Sequence, residues 1–183
     1  STMISNIDQI NAKGSTTNVR QDWTTIGVLY KKQNSDLTNN IYNADLMAKL
    51  VWSEYKFNLL NEDNYHSKLK TTGFGAGVVV KIPSGNYYNW IFEGLLFPSL
   101  SHAETGGYSS GNSPETTRMD FSLGGEFTIS KTGQLFYEIK SMFEKNRFAS
   151  TTTQADPETG LSPSRVSVQN WFYMFSLGYR WGQ

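Results

Sequence analysis

Apolar and polar residues alternate along most of this chain with a period of two. Tyr42, Ala44, Leu46, Ala48, Leu50 and Trp52 fall on one side, and Asn43, Asp45, Met47, Lys49, Val51 and Ser53 on the other. Successive side chains of a strand point to opposite faces, so this pattern predicts a strand with one apolar side. It returns at Phe74–Ile82, Tyr88–Leu96, Met119–Ile129, Leu135–Phe143 and Trp171–Trp181. A less regular strand is predicted at roughly 19–32, with Ile26, Val28 and Tyr30 on the apolar face and Trp23 on the other. That makes seven, and a closed bacterial barrel has an even number of strands. An eighth is therefore inferred within about residues 2–12, although Ile4, Ile7 and Ile10 do not alternate and fit helical spacing as well. Residues 1–16 are read as a poorly patterned first strand or an N-terminal segment, and 1–183 as a single domain.

The connections carry separate information. Pro-Ser-Gly-Asn after Ile82 and Ser-Lys-Thr-Gly after Ile129 suit tight turns. Alternating with them are polar stretches predicted as long loops, roughly 101–116 and roughly 149–165. Short turns alternating with long loops are what a membrane barrel shows, the long loops lying outside. Lys131-Thr132-Gly133 is expected to form a three-residue hairpin loop. That register sets Ser130 opposite Gln134 and Glu126 opposite Glu138, with Lys140 diagonal to Glu126 and able to bridge both acids.

Alternation alone does not say which face points inward. The apolar faces are rich in aromatic rings, and a small barrel has an interior only just wide enough for side chains. The opposite face carries Gly73, Gly75, Gly77, Gly124 and Gly178 among Asp45, Lys49, Lys81, Glu93, Arg118, Asp120, Glu126, Glu138, Lys140, Glu144 and Arg180. That composition suits a narrow polar lumen. Rings also collect at strand ends. Tyr42 and Trp52 are ten residues apart, as are Trp171 and Trp181. Ten residues of tilted strand project to roughly 25 Å, the height of a lipid-facing band between aromatic girdles. Tyr42, Trp90, Tyr137, Tyr179 and Trp181 are assigned with Tyr88 to the periplasmic girdle, and Trp52 and Trp171 to the outer one.

Composition narrows the classes. Sixteen basic residues balance 16 acidic ones, and no basic face of a nucleic-acid binder is visible. The absence of cysteine rules out disulfides and Cys-based zinc sites. No run approaches the ~18 apolar residues of a membrane helix, a test that a β-barrel escapes. No secretory leader is visible; Ser1 opens a polar stretch, as a trimmed chain would.

Phe175-Ser176-Leu177-Gly178-Tyr179-Arg180-Trp181 resembles the closing strand of small bacterial outer-membrane barrel proteins of the OmpA/OmpX-like class. Gly182 and Gln183 follow the aromatic residue here, whereas that family usually ends on it. The resemblance implies an all-β, eight-stranded antiparallel transmembrane β-barrel, integral to the bacterial outer membrane. It further implies contact with outer-membrane lipids and lipopolysaccharide, and insertion by the outer-membrane assembly machinery, which recognises the final strand.

Candidate chemistry is sparse. Gly73-x-Gly75-x-Gly77 lies inside a strand at period two and lacks the strand-to-helix context of a nucleotide loop. His66 and His102 are placed near the outer rim as solvated loop residues. Ser67 and Ser101 adjoin them directly, without the two-residue spacing of a deacylase pair, and no acid is seen to orient either ring. Two histidines without spaced carboxylates also make a poor metal site. The expectation is a monomer without cofactor, metal, catalytic residues or nucleic-acid partner. Its role is expected to be structural, or surface binding and adhesion through the external loops. A narrow pore for ions or small solutes is the alternative, and a lipid A-modifying enzyme the third reading. Glu93, Arg118, Asp120, Glu126, Glu138, Lys140 and Arg180 are expected to pair into a network that plugs the lumen.

Because the assembly reading rests on the terminal aromatic, Trp181→Ala should lower the amount inserted in cells while detergent refolding in vitro stays largely intact. Normal membrane levels of the variant would contradict it.

Overall fold

The computed structural model describes residues 2–10, 16–31, 44–59, 68–105, 111–130, 132–151, 160 and 165–181. Among the described residues, eight strands follow one another: β1 (Thr2–Ile10), β2 (Thr16–Lys31), β3 (Asp45–Leu59), β4 (Lys68–Pro83), β5 (Tyr88–Thr105), β6 (Gly111–Ser130), β7 (Gly133–Ser150) and β8 (Arg165–Trp181). They form one antiparallel sheet in chain order, curled into an open half-barrel. Among the described residues there is no helix, and no ladder joins β1 to β8. The poorly patterned N-terminal segment is thus a strand, with Ile10 opposite Thr16 and Thr2 opposite Thr24. It reaches only part of β2, so Thr25–Lys31 pairs with β3 alone.

Burial is inverted relative to a water-soluble sandwich. The outward face is apolar and exposed: Phe74 is 73% accessible, Phe175 68% and Trp181 76%. Along the apolar belt the charges lie on the inward face, with Arg118 and Asp120 at 1% exposed and Glu144 at 0%. Period-two alternation causes both, since outward and inward residues follow one another along each strand.

The strands outrun the apolar pattern. Residues 101–105 and 111–116 belong to β5 and β6, so most of the expected 101–116 loop is ladder. Only 106–110 lies outside the described residues there. In the expected 149–165 loop, β7 continues to Ser150 and β8 starts at Arg165. Beyond the apolar belt both faces are polar, so side-chain pattern no longer marks a strand although backbone pairing continues. The ladder also slips there, between Phe97 and Leu100 on β5 and between Asn112 and Thr117 on β6. Pro98 and Pro114 sit in those irregularities, where a residue without an N–H is tolerated.

At the opposite end, Gly85 takes a φ of 76° in the β4–β5 turn, a left-handed conformation that costs glycine little. The β6–β7 hairpin differs from expectation. Gly133 pairs with Ser130 and Gln134 with Thr128, after a register irregularity at 128–130. The extra residue is absorbed as a bulge in β6, not in a three-residue loop, and every later pair moves by two. Glu126 therefore faces Phe136, and Glu138 faces Gly124. Lys131 lies outside the described residues.

Inward glycines let strands and rings approach. A Cβ at Gly75 would stand 2.6 Å from the Phe97 ring, and one at Gly77 would collide with the Gly94 carbonyl oxygen. Gly77→Ala should therefore lower the unfolding free energy by about 1–3 kcal/mol in a urea titration, because backbone has to move. At Gly27 the added carbon meets neighbours only at 3.4 Å. Gly27→Ala should change stability by about 0.5 kcal/mol or less. Equal losses at both sites would show that close approach is not what Gly77 provides.

Candidate functional site

The curl brings polar side chains from β2 to β8 into one hollow, which is the candidate site. Nearest the tight turns, Glu126 on β6 is 3% exposed and gathers three partners. Lys81 on β4 contacts its Oε1, Asn89 on β5 donates to the same atom at 3.1 Å, and Arg180 Nη1 on β8 approaches Oε2 at 4.0 Å. Arg180 also lies over the Phe136 ring at 5.6 Å. A little further along, Lys49 on β3 pairs with Glu93 on β5. The register shift explains why Lys140 does not bridge Glu126 and Glu138. Lys140 instead approaches Asp120, and Glu138 makes no ion pair among the described residues.

Arg118 occupies the centre. Its guanidinium sits over Phe97 at 3.9 Å and over Trp23 at 5.1 Å, with Nε 2.9 Å from Asp120 Oδ1. Lys140 Nζ lies 3.1 Å from Asp120 Oδ2. These are ion contacts whose angles fall short of hydrogen-bond geometry. Trp23 continues into a ring cluster with Tyr55 at 4.8 Å and Phe172 at 5.5 Å, and Met142 completes it. Since β2 and β8 are the second and last strands, this cluster spans the hollow.

Above it, the structure overturns the reading of His102 as a solvated loop residue. The ring is 1% exposed; Nδ1 lies 2.8 Å from Thr71 Oγ1 and Nε2 3.1 Å from Glu104 Oε1. An orienting acid is thus present. The Thr71 hydroxyl also lies 3.3 Å from Glu144 Oε1, which accepts from Asn146 Nδ2 at 3.0 Å. One hydroxyl holds one proton. If Thr71 donates to Glu144 it accepts from Nδ1–H, and the Nε2–Glu104 hydrogen bond then needs a second shared proton. Thr71, His102 and Glu104 have the order of a nucleophile, base and acid. All three are at most 2% exposed, so in this conformation a substrate has no approach to the Thr71 hydroxyl. The slip after Phe97 is what turns Leu100, His102 and Glu104 inward. The available sequence signal was the period-two pair His102-x-Glu104 following Pro98. His66 lies outside the described residues.

The expected girdle residues lie on the outward face. Trp52 pairs with Phe74, and Phe143 stacks on Trp171 at 4.7 Å, toward the end away from the tight turns. At the turn end, Tyr88 touches Phe127 at 4.5 Å and Trp90 at 5.0 Å, and its hydroxyl meets that of Tyr137 at 2.8 Å. Tyr179 and Trp181 lie 5.8 Å apart. Tyr42 lies outside the described residues.

Comparison with protein-family models, curated proteins and solved structures finds no match.

Arg118→Ala should lower unfolding free energy by about 3–5 kcal/mol, because buried carboxylates lose their compensating charge. Glu138→Gln, on the same face, should change it by about 0.5 kcal/mol or less. Urea unfolding followed by tryptophan fluorescence separates them, and equal losses would deny charge pairing its role.

Proposed function

We propose that the chain closes into an eight-stranded antiparallel barrel spanning the bacterial outer membrane as a monomer. It acts there without catalysis, as a structural or surface-binding protein whose long polar connections face outward. The observation that carries this reading is the inverted burial: a continuous apolar exterior around a paired, charged interior. Exposed apolar patches of that extent mark a surface that something covers. Lipid suits this one because the rings gather at its two ends, as in an interfacial girdle. A barrel also satisfies every backbone group internally, which hydrocarbon requires.

The plug supports a non-conducting role. Arg118, Asp120, Lys140, Trp23, Tyr55 and Phe172 fill the hollow, and eight strands leave little further bore. Outer-membrane lipids and lipopolysaccharide are the expected surroundings, and the assembly machinery the expected transient partner.

Three measurements test this. The protein should partition into detergent, migrate differently on gels before and after boiling, and pass no steady current in a planar bilayer. A chain that stays monodisperse without detergent would refute the membrane reading, and steady nanosiemens conductance would replace the plug by a pore. Depth dependence provides the finer check. Leu123→Arg, in the middle of the exterior, should cost about 2–4 kcal/mol of folding in liposomes, and Ser101→Arg, beyond the belt, about 0–1. Equal costs would count against a bilayer.

A further inference from the structure

Beyond the ring pair Trp52–Phe74, the outward face of β2–β4 turns from apolar to basic. Arg20 and Asp22 on β2, Glu54 and Lys56 on β3, and Lys68 and Lys70 on β4 share the outward parity of Ile26, Leu50 and Phe74. Lys56 stands directly opposite Lys70 in the β3–β4 ladder. Like charges so placed on one face repel. A single carboxylate lies between them: Glu54 Oε1 is 2.5 Å from the Lys56 ammonium and Oε2 2.9 Å from that of Lys70. Arg20 is held by Asp22 at 3.1 Å. Four cations (Arg20, Lys56, Lys68, Lys70) against two carboxylates (Asp22, Glu54) leave a local charge of +2. The outward positions of β5 and β6 beyond the belt carry Ser101, Ala103, Glu115 and Thr117, so the surplus does not continue onto the next two strands.

Resting on the membrane reading above, we infer that the Lys56–Lys70 face, with Arg20 and Lys68 beside it, binds the phosphate groups of anionic membrane lipids. Trp52 and Phe74 lie one outward position below Glu54 and Thr72, at the edge of the apolar surface. Rings at that edge mark headgroup depth. A lipid there lays its chains along Leu50 and Ala76 and lifts its phosphate to the two ammonium groups. Each ammonium has three donors and Glu54 uses one from each, so both keep donors for a phosphate oxygen. Lys56, then Lys70, hold the Glu54 carboxyl below the usual carboxylate range, so it stays charged at neutral pH and bridges the two ammonium groups. A phosphate monoester carries close to the charge that the surplus lacks.

The test refolds the full chain into phosphatidylcholine vesicles and titrates in a lipid A bearing two phosphates, with retention of the lipid as the readout. Lys56→Gln/Lys70→Gln should bind roughly 30-fold more weakly than wild type, and Lys70→Gln alone roughly fivefold, as expected for about one surface cation each. Lys145→Gln, outward on β7, should bind as wild type. All variants should show the same boiling-dependent gel shift in phosphatidylcholine alone. Equal lipid affinity in correctly inserted variants overturns the inference and leaves the membrane reading standing. Equal stabilisation of the barrel by inorganic phosphate in place of the lipid also overturns it, since the site would then take a free anion. Failure of the wild type to insert overturns both.

Discussion

Arg118 and Asp120 meet at 2.9 Å inside the curl, each about 1% exposed. Charges so far from water are tolerated only when paired, and most of the inner face follows from that requirement. Lys140 on β7 supplies a second cation to Asp120, while Glu144 stands opposite Arg118 in the ladder. The guanidinium lies over the Phe97 and Trp23 rings, where a cation is attracted by the ring quadrupole. Gly75 has no side chain because Phe97 occupies the space one would need. A charged centre thus dictates which neighbours are aromatic, which are acidic and which are glycine.

The same pairing ties the sheet across its hollow. Backbone ladders join only neighbours in chain order. Contacts such as Lys81–Glu126, Thr71–Glu144 and Trp23–Phe172 skip strands and hold the curl. They compensate where β1 covers only Thr16–Thr24 of β2. On this view the interior is a fastening that happens to be polar, and the exterior is left apolar for the solvent that suits it. The upper cluster of Thr71, His102, Glu104, Glu144 and Asn146 extends the fastening beyond the belt, with the Thr71 hydroxyl linking the His102 ring to Glu144.

The division into an apolar and a polar face was determined by the sequence by itself. Alternation from Leu46 to Trp52, or from Met119 to Ile129, is a local property, since each side chain's face follows from its neighbours' geometry. Strand order along the chain, the tight turns at Ser84–Tyr87 and after Ser130, and the all-β class followed for the same reason. Two features were decided only by the tertiary structure. One is register: a single irregularity at 128–130 moves Glu126 from Glu138 to Phe136 and gives Lys140 to Asp120. The other is the fate of residues beyond the belt. His102 looked like a loop residue because its surroundings lack apolar alternation, yet the slip after Phe97 buries it between Thr71 and Glu104. A shift of one residue reverses every face that follows it, and the alternation of neighbouring residues does not register pairing partners thirty positions away.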